Sequence, residues 1–178
     1  GYLLYRFKEK SRGYMVYGME TEMSEIGAHL GGTGKSMFFE LLDWCRTVFF
    51  RDGQRMKRDE DDSYFAGVRK GVTDIIYFDD LQKNVDLHVF MPMATSKMTV
   101  RNLYENTVVI DYEDSPKVAF TSNHPIDKFD ASLRRRTWFV GFSDYYHAED
   151  LRSGVVERSA RTEFGINLPH DLSTEDMN

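Results

Sequence analysis

The apolar positions of this chain change period several times, and each change delimits an element. Leu3, Leu4 and Phe7 are spaced for a helix over residues 2–10, which Ser11 to Gly13 interrupt. Tyr14 to Met19 is a short strand-like run, followed by an acidic connector, Glu20 to Ala28, and a glycine-rich stretch. Beyond it Met37, Phe38, Leu41, Leu42, Cys45 and Val48 recur at helical spacing, which predicts an amphipathic helix with Cys45 on its core face. The chain then turns polar as far as Asp62, with Arg51-Asp52-Gly53 as a turn signal and Glu60-Asp61-Asp62 as a solvated acidic loop.

A different pattern begins at Asp74. Ile75-Ile76-Tyr77-Phe78 is a continuous apolar run closed by Asp79 and Asp80, as expected of a strand buried on both faces of a parallel sheet. Leu81 to Met93 reads as a helix or turn crossing the sheet, with Val85, Leu87, Val89 and Phe90 directed inward. Lys97 to Tyr104 and Thr107 to Tyr112 alternate on either side of Glu105-Asn106, a hairpin signal. Lys117 to Asn123 is a further buried strand, and the charged turn Asp130 to Arg136 leads into another at Thr137 to Phe142. From His147 onward the chain is polar. These boundaries divide it into a helical lead-in (1–13), an α/β core (14–146) and a C-terminal tail (147–178).

The glycine-rich stretch carries the chemistry. Gly31, Gly32, Thr33, Gly34, Lys35 and Ser36 have the composition of a loop whose backbone N–H groups curl around phosphate oxygens. Lys35 is placed to reach the β/γ-phosphates of a nucleotide, Ser36 to ligate Mg²⁺, and both stand at a helix start, where the dipole favours an anion. The usual form of the loop has glycine where this chain has His29, so only its second half is matched. A ligand-free glycine-rich turn is the alternative for this stretch alone. Downstream, Asp79 is assigned to the metal and Asp80 to the attacking water. Asn123, at a strand tip, suits a contact to the γ-phosphate or the water, although an isolated asparagine there is more often a turn former. Arg134, Arg135 and Arg136 read either as a solvated basic edge or as the source of a finger for a neighbouring subunit.

Composition narrows the setting. A chain of 178 residues, 41% hydrophobic and 14% aromatic, suits one domain with a substantial core. Its net charge of -6 excludes coating nucleic acid through bulk charge, though not a local basic groove. A single cysteine permits no internal disulfide, and none of the five histidines pairs with another at metal-ligand spacing, so zinc is not expected and the compartment reads as cytoplasmic. His147, beside Tyr145 and Tyr146, reads as a packing corner. No apolar run approaches the roughly 20 residues of a membrane span, and the start lacks a signal-peptide layout. It also lacks an initial Met, as expected of a fragment of a longer protein.

The order of these pieces resembles the superfamily 3 helicases, an AAA+-related group that includes the helicase halves of phage and plasmid primase-helicases. The likeness covers residues 14–146 and is carried by Gly31 to Ser36, Phe78-Asp79-Asp80 (similar to a Walker B strand), Ser115-Pro116-Lys117, Thr121-Ser122-Asn123 and Phe142-Ser143-Asp144-Tyr145-Tyr146. It implies a P-loop NTPase fold with an AAA+-like parallel sheet flanked by helices and a β-hairpin inserted before the sensor strand. It also implies a homo-oligomeric ring, usually hexameric, with ATP and Mg²⁺ between subunits. On that pattern Lys35, Ser36, Asp79 and Asp80 act in one subunit, Asn123 senses the γ-phosphate, and Arg135 or Arg136 reaches the neighbour's site. The hairpin would track single-stranded DNA. Its cations here are only Lys97 and Arg101, with Tyr104 to stack on a base and Glu105 opposing phosphate. A primase, attached or separate, is an expected partner.

The function expected is therefore an ATP-driven DNA helicase motor of a phage or mobile-element replication protein. The alternative is an AAA+-like assembly scaffold or clamp-loader relative that binds ATP without unwinding. A small-molecule kinase would leave the hairpin and the arginines without a purpose, and a GTPase would need an Asn-Lys-x-Asp stretch where this chain has Asn123-His124-Pro125.

Overall fold

The computed structural model describes residues 1–21, 32–56, 65–102, 106–147, 149 and 154–165. Its centre is a five-stranded parallel sheet built from β1 (Met15–Glu20), β2 (Val48–Asp52), β3 (Ile75–Asp79), β6 (Lys117–Thr121) and β7 (Thr137–Phe142), in the order β2-β3-β6-β1-β7. A separate antiparallel hairpin, β4 (Met98–Val100) with β5 (Val108–Ile110), precedes β6 in the chain. The helices are short: α1 (Lys35–Glu40), α2 (Met91–Thr95), α3 (Ala131–Arg136) and α4 (Ala160–Phe164). The α/β architecture agrees with the apolar runs read from the sequence.

Strand residues alternate between two apolar layers. Met15, Tyr17, Ile76, Phe78, Val118 and Phe120 face one layer, closed by Leu87, Phe90, Met93 and Leu133 and by Met98, Val100 and Ile110 of the hairpin. Val16, Ile75, Tyr77 and Ala119 face the other, where Phe39 of α1, Leu42 and Leu3 cover them. Phe39 is fully buried and stacks on Tyr77 with ring centroids 5.1 Å apart. Its ring occupies the space beside Gly18, where a Cβ would stand 2.7 Å from Phe39 Cε2. Glycine at that point of β1 lets α1 settle on the sheet. The seating of Phe39 thereby sets the height of Lys35 and Ser36 at the start of the same helix.

Three local expectations are corrected. The segment predicted helical over 2–10 forms only a 3-10 turn, Tyr2–Leu4. Its carbonyls are used otherwise: Lys117 Nζ donates to the carbonyls of Tyr2 and Tyr5, while Lys8 Nζ reaches back to Met93 O (2.7 Å) and Ser115 Oγ (2.6 Å). The helix predicted as far as Val48 stops at Glu40 and becomes a 3-10 turn, Leu41–Trp44, which leaves Cys45 exposed. Val48 opens β2 instead, because Val48-Phe49-Phe50 is a β-favouring run that pairs with Ile75, Ile76 and Tyr77. The charged turn Asp130 to Arg136 is the helix α3, capped by Asp130, whose Oδ1 accepts from Ser132 N (2.9 Å) and Leu133 N (2.8 Å). The acidic group at residues 60–62 lies outside the described residues.

Both tryptophans are partly exposed. Trp44 ends the turn after α1, and Trp138 follows α3, packed against Tyr14 (5.4 Å) and Tyr2 (6.1 Å).

The two lysines that pin the N-terminal segment are themselves buried, and each lies over a ring, Lys8 over Tyr112 and Lys117 over Tyr2. Burial, and then the neighbouring Lys117, pulls the Lys8 amine down to about 7; burial, and then Arg46, pulls Lys117 down to about 8. Both values lie below the ~10.4 of an unfolded lysine. From about pH 7 upward the unfolded chain therefore binds more protons than the folded one, and stability rises with pH until the unfolded lysines also deprotonate. Urea unfolding should show wild-type stability increasing between pH 7 and pH 10, by up to ~1.4 kcal/mol per pH unit for each lysine, and Lys8→Met should remove part of that slope. In a second test, Gly18→Ala should lower stability by about 1–3 kcal/mol in the same assay, because the added methyl overpacks against Phe39.

Candidate functional site

The C-terminal ends of β1, β3 and β6 open onto one crevice, the edge at which parallel α/β sheets generally bind ligands. The glycine-rich loop enters it from β1. Gly32 (φ 73) and Gly34 (φ 82) both lie in the left-handed region, and Gly34 leads directly into Lys35, the first residue of α1. Gly31 and His29 lie outside the described residues.

Asp79 joins three elements through one oxygen. Its Oδ1 accepts from Ser36 Oγ of α1 (2.9 Å), Tyr77 OH of β3 (2.6 Å) and Thr121 Oγ1 of β6 (2.7 Å). The Tyr77 and Thr121 hydroxyls stand 3.0 Å apart, and because each carries one proton, only two contacts of the Tyr77–Thr121–Asp79 triangle are hydrogen bonds at once. Burial, and next the bond to Asp79, drives the Tyr77 phenol well above its ordinary value, so it remains a donor.

Asp80 is the only non-glycine residue at positive φ (51°) among the described residues. Leaving β3 in that conformation turns its carboxylate away from the strand direction, at a cost of order 1–3 kcal/mol. Three contacts hold it: Asp80 N donates to Thr121 Oγ1 (3.0 Å), Gln54 Nε2 to Asp80 Oδ2 (2.9 Å) and Asn123 Nδ2 to Asp80 Oδ1 (3.0 Å). The Asn123 carbonyl oxygen in turn accepts from Lys35 Nζ at 2.7 Å. Asn123 thus bridges the loop lysine and the second carboxylate, a position it owes to β6 lying between β1 and β3. Lys35 also forms an ion pair with Glu20, at the end of β1, and Thr33 Oγ1 donates to the same Glu20 oxygen at 3.3 Å.

Beside them lies a cavity of about 680 Å³ that Gly32 to Met37, Asp79, Asp80 and Asn123 line from the sheet side. The far wall is Tyr146, Glu157, Ser159, Ala160 and Arg161. Apart from Tyr146 it comes from the segment read as a polar tail, folded back by an antiparallel bridge between His147 and Arg158. Both ring nitrogens of His147 lie against carbonyls, Nδ1 at 2.7 Å from Asp144 O and Nε2 at 3.0 Å from Val156 O. Ser159 then caps α4 through a capping box with Thr162, and Tyr145 OH donates to Glu163 (2.9 Å). Sequence reasoning missed Glu20, Gln54 and this wall. Glu20 was read as the start of the acidic connector, one residue beyond the strand that feeds the loop, whereas it closes β1; nothing in the sequence marks Gln54 or residues 157–161.

The donor set suits a hard cation. Ser36 Oγ and Asp79 Oδ1 are 2.9 Å apart on the cavity wall, and a hydroxyl plus one carboxylate, completed by phosphate and water oxygens, is the usual provision for Mg²⁺. The lining carries Asp79, Asp80 and Glu157 against Lys35 and Arg161, so a polyanion is better received together with a divalent cation than alone. No cluster of His, Cys, Asp and Glu able to hold a metal unaided occurs among the described residues.

The remaining candidates lie elsewhere. Arg135 and Arg136 line a separate cavity of about 450 Å³ with Ser11, Thr95 and Ser132. Arg136 points back to the carbonyls of Gly13 (3.4 Å) and Lys10 (3.5 Å), whereas Arg135 is exposed. Lys97 stands at the base of the hairpin, paired with Asp111 at 2.8 Å; Arg101 is exposed beyond β4, and Tyr104 lies outside the described residues. No described helix is long and apolar enough to cross a membrane.

No protein-family profile and no curated protein matches the chain. Among solved structures it is similar to apo structures of the NrS-1 C-terminal region. One, of residues 305–718, is 14% identical with a TM-score of 0.47 and is matched over 74% of this chain and 30% of that one. The A form is 12% identical with a TM-score of 0.45, over 76% and 30%. A further A-form structure is 14% identical with a TM-score of 0.46, over 86% and 33%. The chain spans about a third of the length of those structures.

Proposed function

We propose that this chain is an ATP-hydrolysing module, the motor of a DNA helicase that moves on single-stranded DNA as a homo-oligomeric ring. The observation that carries the proposal is the meeting of Lys35, Ser36, Asp79, Asp80 and Asn123 on one cavity wall, from three separate stretches of sequence. The motif order shared with superfamily 3 helicases supplies the DNA and the ring.

The chemistry is in-line attack of water on the γ-phosphate. Lys35 and the loop N–H groups hold the phosphates. Mg²⁺, held by Ser36 and Asp79, would neutralise charge on the β- and γ-phosphates. Asp80 orients the water, and Asn123, already bonded to both Lys35 and Asp80, couples the water's position to that of the γ-phosphate. Glu157 and Arg161 line the far side, where the nucleoside would lie. Arg135, with its exposed guanidinium, suits a finger for a neighbouring subunit, and Arg136 suits a structural tie between α3 and the N-terminal segment.

The assembly-scaffold reading, which binds ATP without unwinding, gains support from the Lys97–Asp111 pair, since a hairpin cation already neutralised grips phosphate less well. A forked DNA substrate separates the two: strand displacement supports the motor, and ATP hydrolysis without displacement by protein that includes the flanking regions supports the scaffold.

Lys35→Ala should reduce DNA-stimulated ATP hydrolysis by on the order of 100-fold or more, and an unchanged rate removes the assignment. Arg135→Ala should leave nucleotide binding intact while lowering hydrolysis by ~10³-fold in the assembled protein. Arg136→Ala should act chiefly on the midpoint of urea unfolding. If the two arginine variants exchange these effects, Arg136 is the finger.

A further inference from the structure

The side-chain donors that a metal-bound phosphate would use are each already engaged by a carboxylate of the chain itself. Glu20 accepts from Lys35 Nζ and Thr33 Oγ1 through a single oxygen, and Asp79 accepts from Ser36 Oγ. The Lys35 and Glu20 side chains are only 10% and 11% exposed, so solvent and salt screen their attraction weakly. Their mountings differ. Glu20 is the last residue of β1, in register with Phe142 of β7, and the next residue is fixed by Thr21 N donating to Phe142 O at 2.9 Å. Lys35 opens a helix on a flexible four-carbon stem, with a second partner, Asn123, on its other side. The carboxylate is the fixed member of the pair and the ammonium the movable one.

We propose that Glu20 is a built-in competitor for phosphate: it holds Lys35 and Thr33 in the nucleotide-free protein, yields them when phosphate arrives, and recaptures them as product leaves. The proposal rests on the reading of the cavity as a nucleotide site. Its physical basis is that one ammonium cannot fully satisfy a strand-anchored carboxylate and a phosphate together, so nucleotide affinity carries the cost of separating the pair. In return Lys35 keeps a defined place between Glu20 and Asn123 when no phosphate is bound. Release of product is helped by the same exchange run backwards.

The test is ADP binding in the presence of Mg²⁺, by calorimetry for affinity and by stopped-flow with a fluorescent ADP analogue for release, on wild type, Lys35→Ala and Glu20→Gln. Glu20→Gln keeps the shape and removes the charge. The expected result is ADP binding tighter by on the order of tenfold, with correspondingly slower release. A purely structural role for Glu20 predicts the opposite, weaker binding together with a lower unfolding midpoint. If Glu20→Gln does not fold, Glu20→Asp withdraws the carboxylate by one methylene and should tighten binding a few-fold. Equal or weaker ADP binding by the folded variant, beside a wild type that binds and a Lys35→Ala that does not, overturns the role of Glu20 alone. A wild type that binds no ADP overturns both this role and the nucleotide site.

Discussion

A single carboxylate oxygen, Oδ1 of Asp79, fastens α1, β3 and β6 to one another. A carboxylate set among hydroxyls from three elements cannot be satisfied by any one of them, and each hydroxyl is held in place by its own strand or helix. Hydrogen bonds of this kind reinforce one another in a poorly solvated setting, so the network fixes relative positions more firmly than its members would separately. Phe39, in its seat against Gly18 and stacked on Tyr77, adds an apolar contact one turn further along the helix. Between them the first turn of α1 is tied to the sheet at two points, which is why Lys35 and Ser36 have defined positions although α1 itself is short.

Around that anchor the polar groups of the crevice are arranged as a continuous chain of contacts. Lys35 meets Glu20 and Asn123, Asn123 meets Asp80, and Asp80 meets Gln54 and the Thr121 hydroxyl. The strained backbone at Asp80 is tolerable because both of its carboxylate oxygens and its N–H are engaged. The basic helix α3 stands apart. Its N-cap Asp130 is tied through His88 Nε2 (3.1 Å) to Asp86, and the carboxylates, that of Asp86 foremost, raise the imidazole above its usual value. Among the described residues, Arg135 and Arg136 of α3 therefore line a different cavity from the one that Asp79 and Asp80 line.

Much of this was legible in the residues, and for identifiable reasons. Ile75 to Phe78 and Val118 to Phe120 are continuous apolar runs with no other plausible home than the middle of a parallel sheet, and the polar residues that end them had to emerge at one edge. Asp79, Asp80 and Asn123 follow from that alone. The N-terminal segment was misread because Leu3, Leu4 and Phe7 carry helical spacing while the decisive groups are the distant Lys117, which claims its carbonyls, and its own Lys8, which reaches across to Met93 and Ser115. Strand β2 was missed because Val48 completes a helical pattern begun at Met37 and its pairing partner lies far along the chain. Gln54, Glu157 and Arg161 carry no local signal, since their places depend on a 3-10 turn and on a chain reversal at His147.

The placement of the two tryptophans gives the molecule a native optical readout. Trp44 leaves the turn that follows α1, and Trp138 leaves α3 toward a pair of tyrosines. Indole emission is sensitive to the polarity around the ring, and both rings are partly open to solvent. Replacing either one with phenylalanine leaves a single emitter, so events at the turn that follows α1 and at the start of β7 become separable by colour and intensity without attaching a dye.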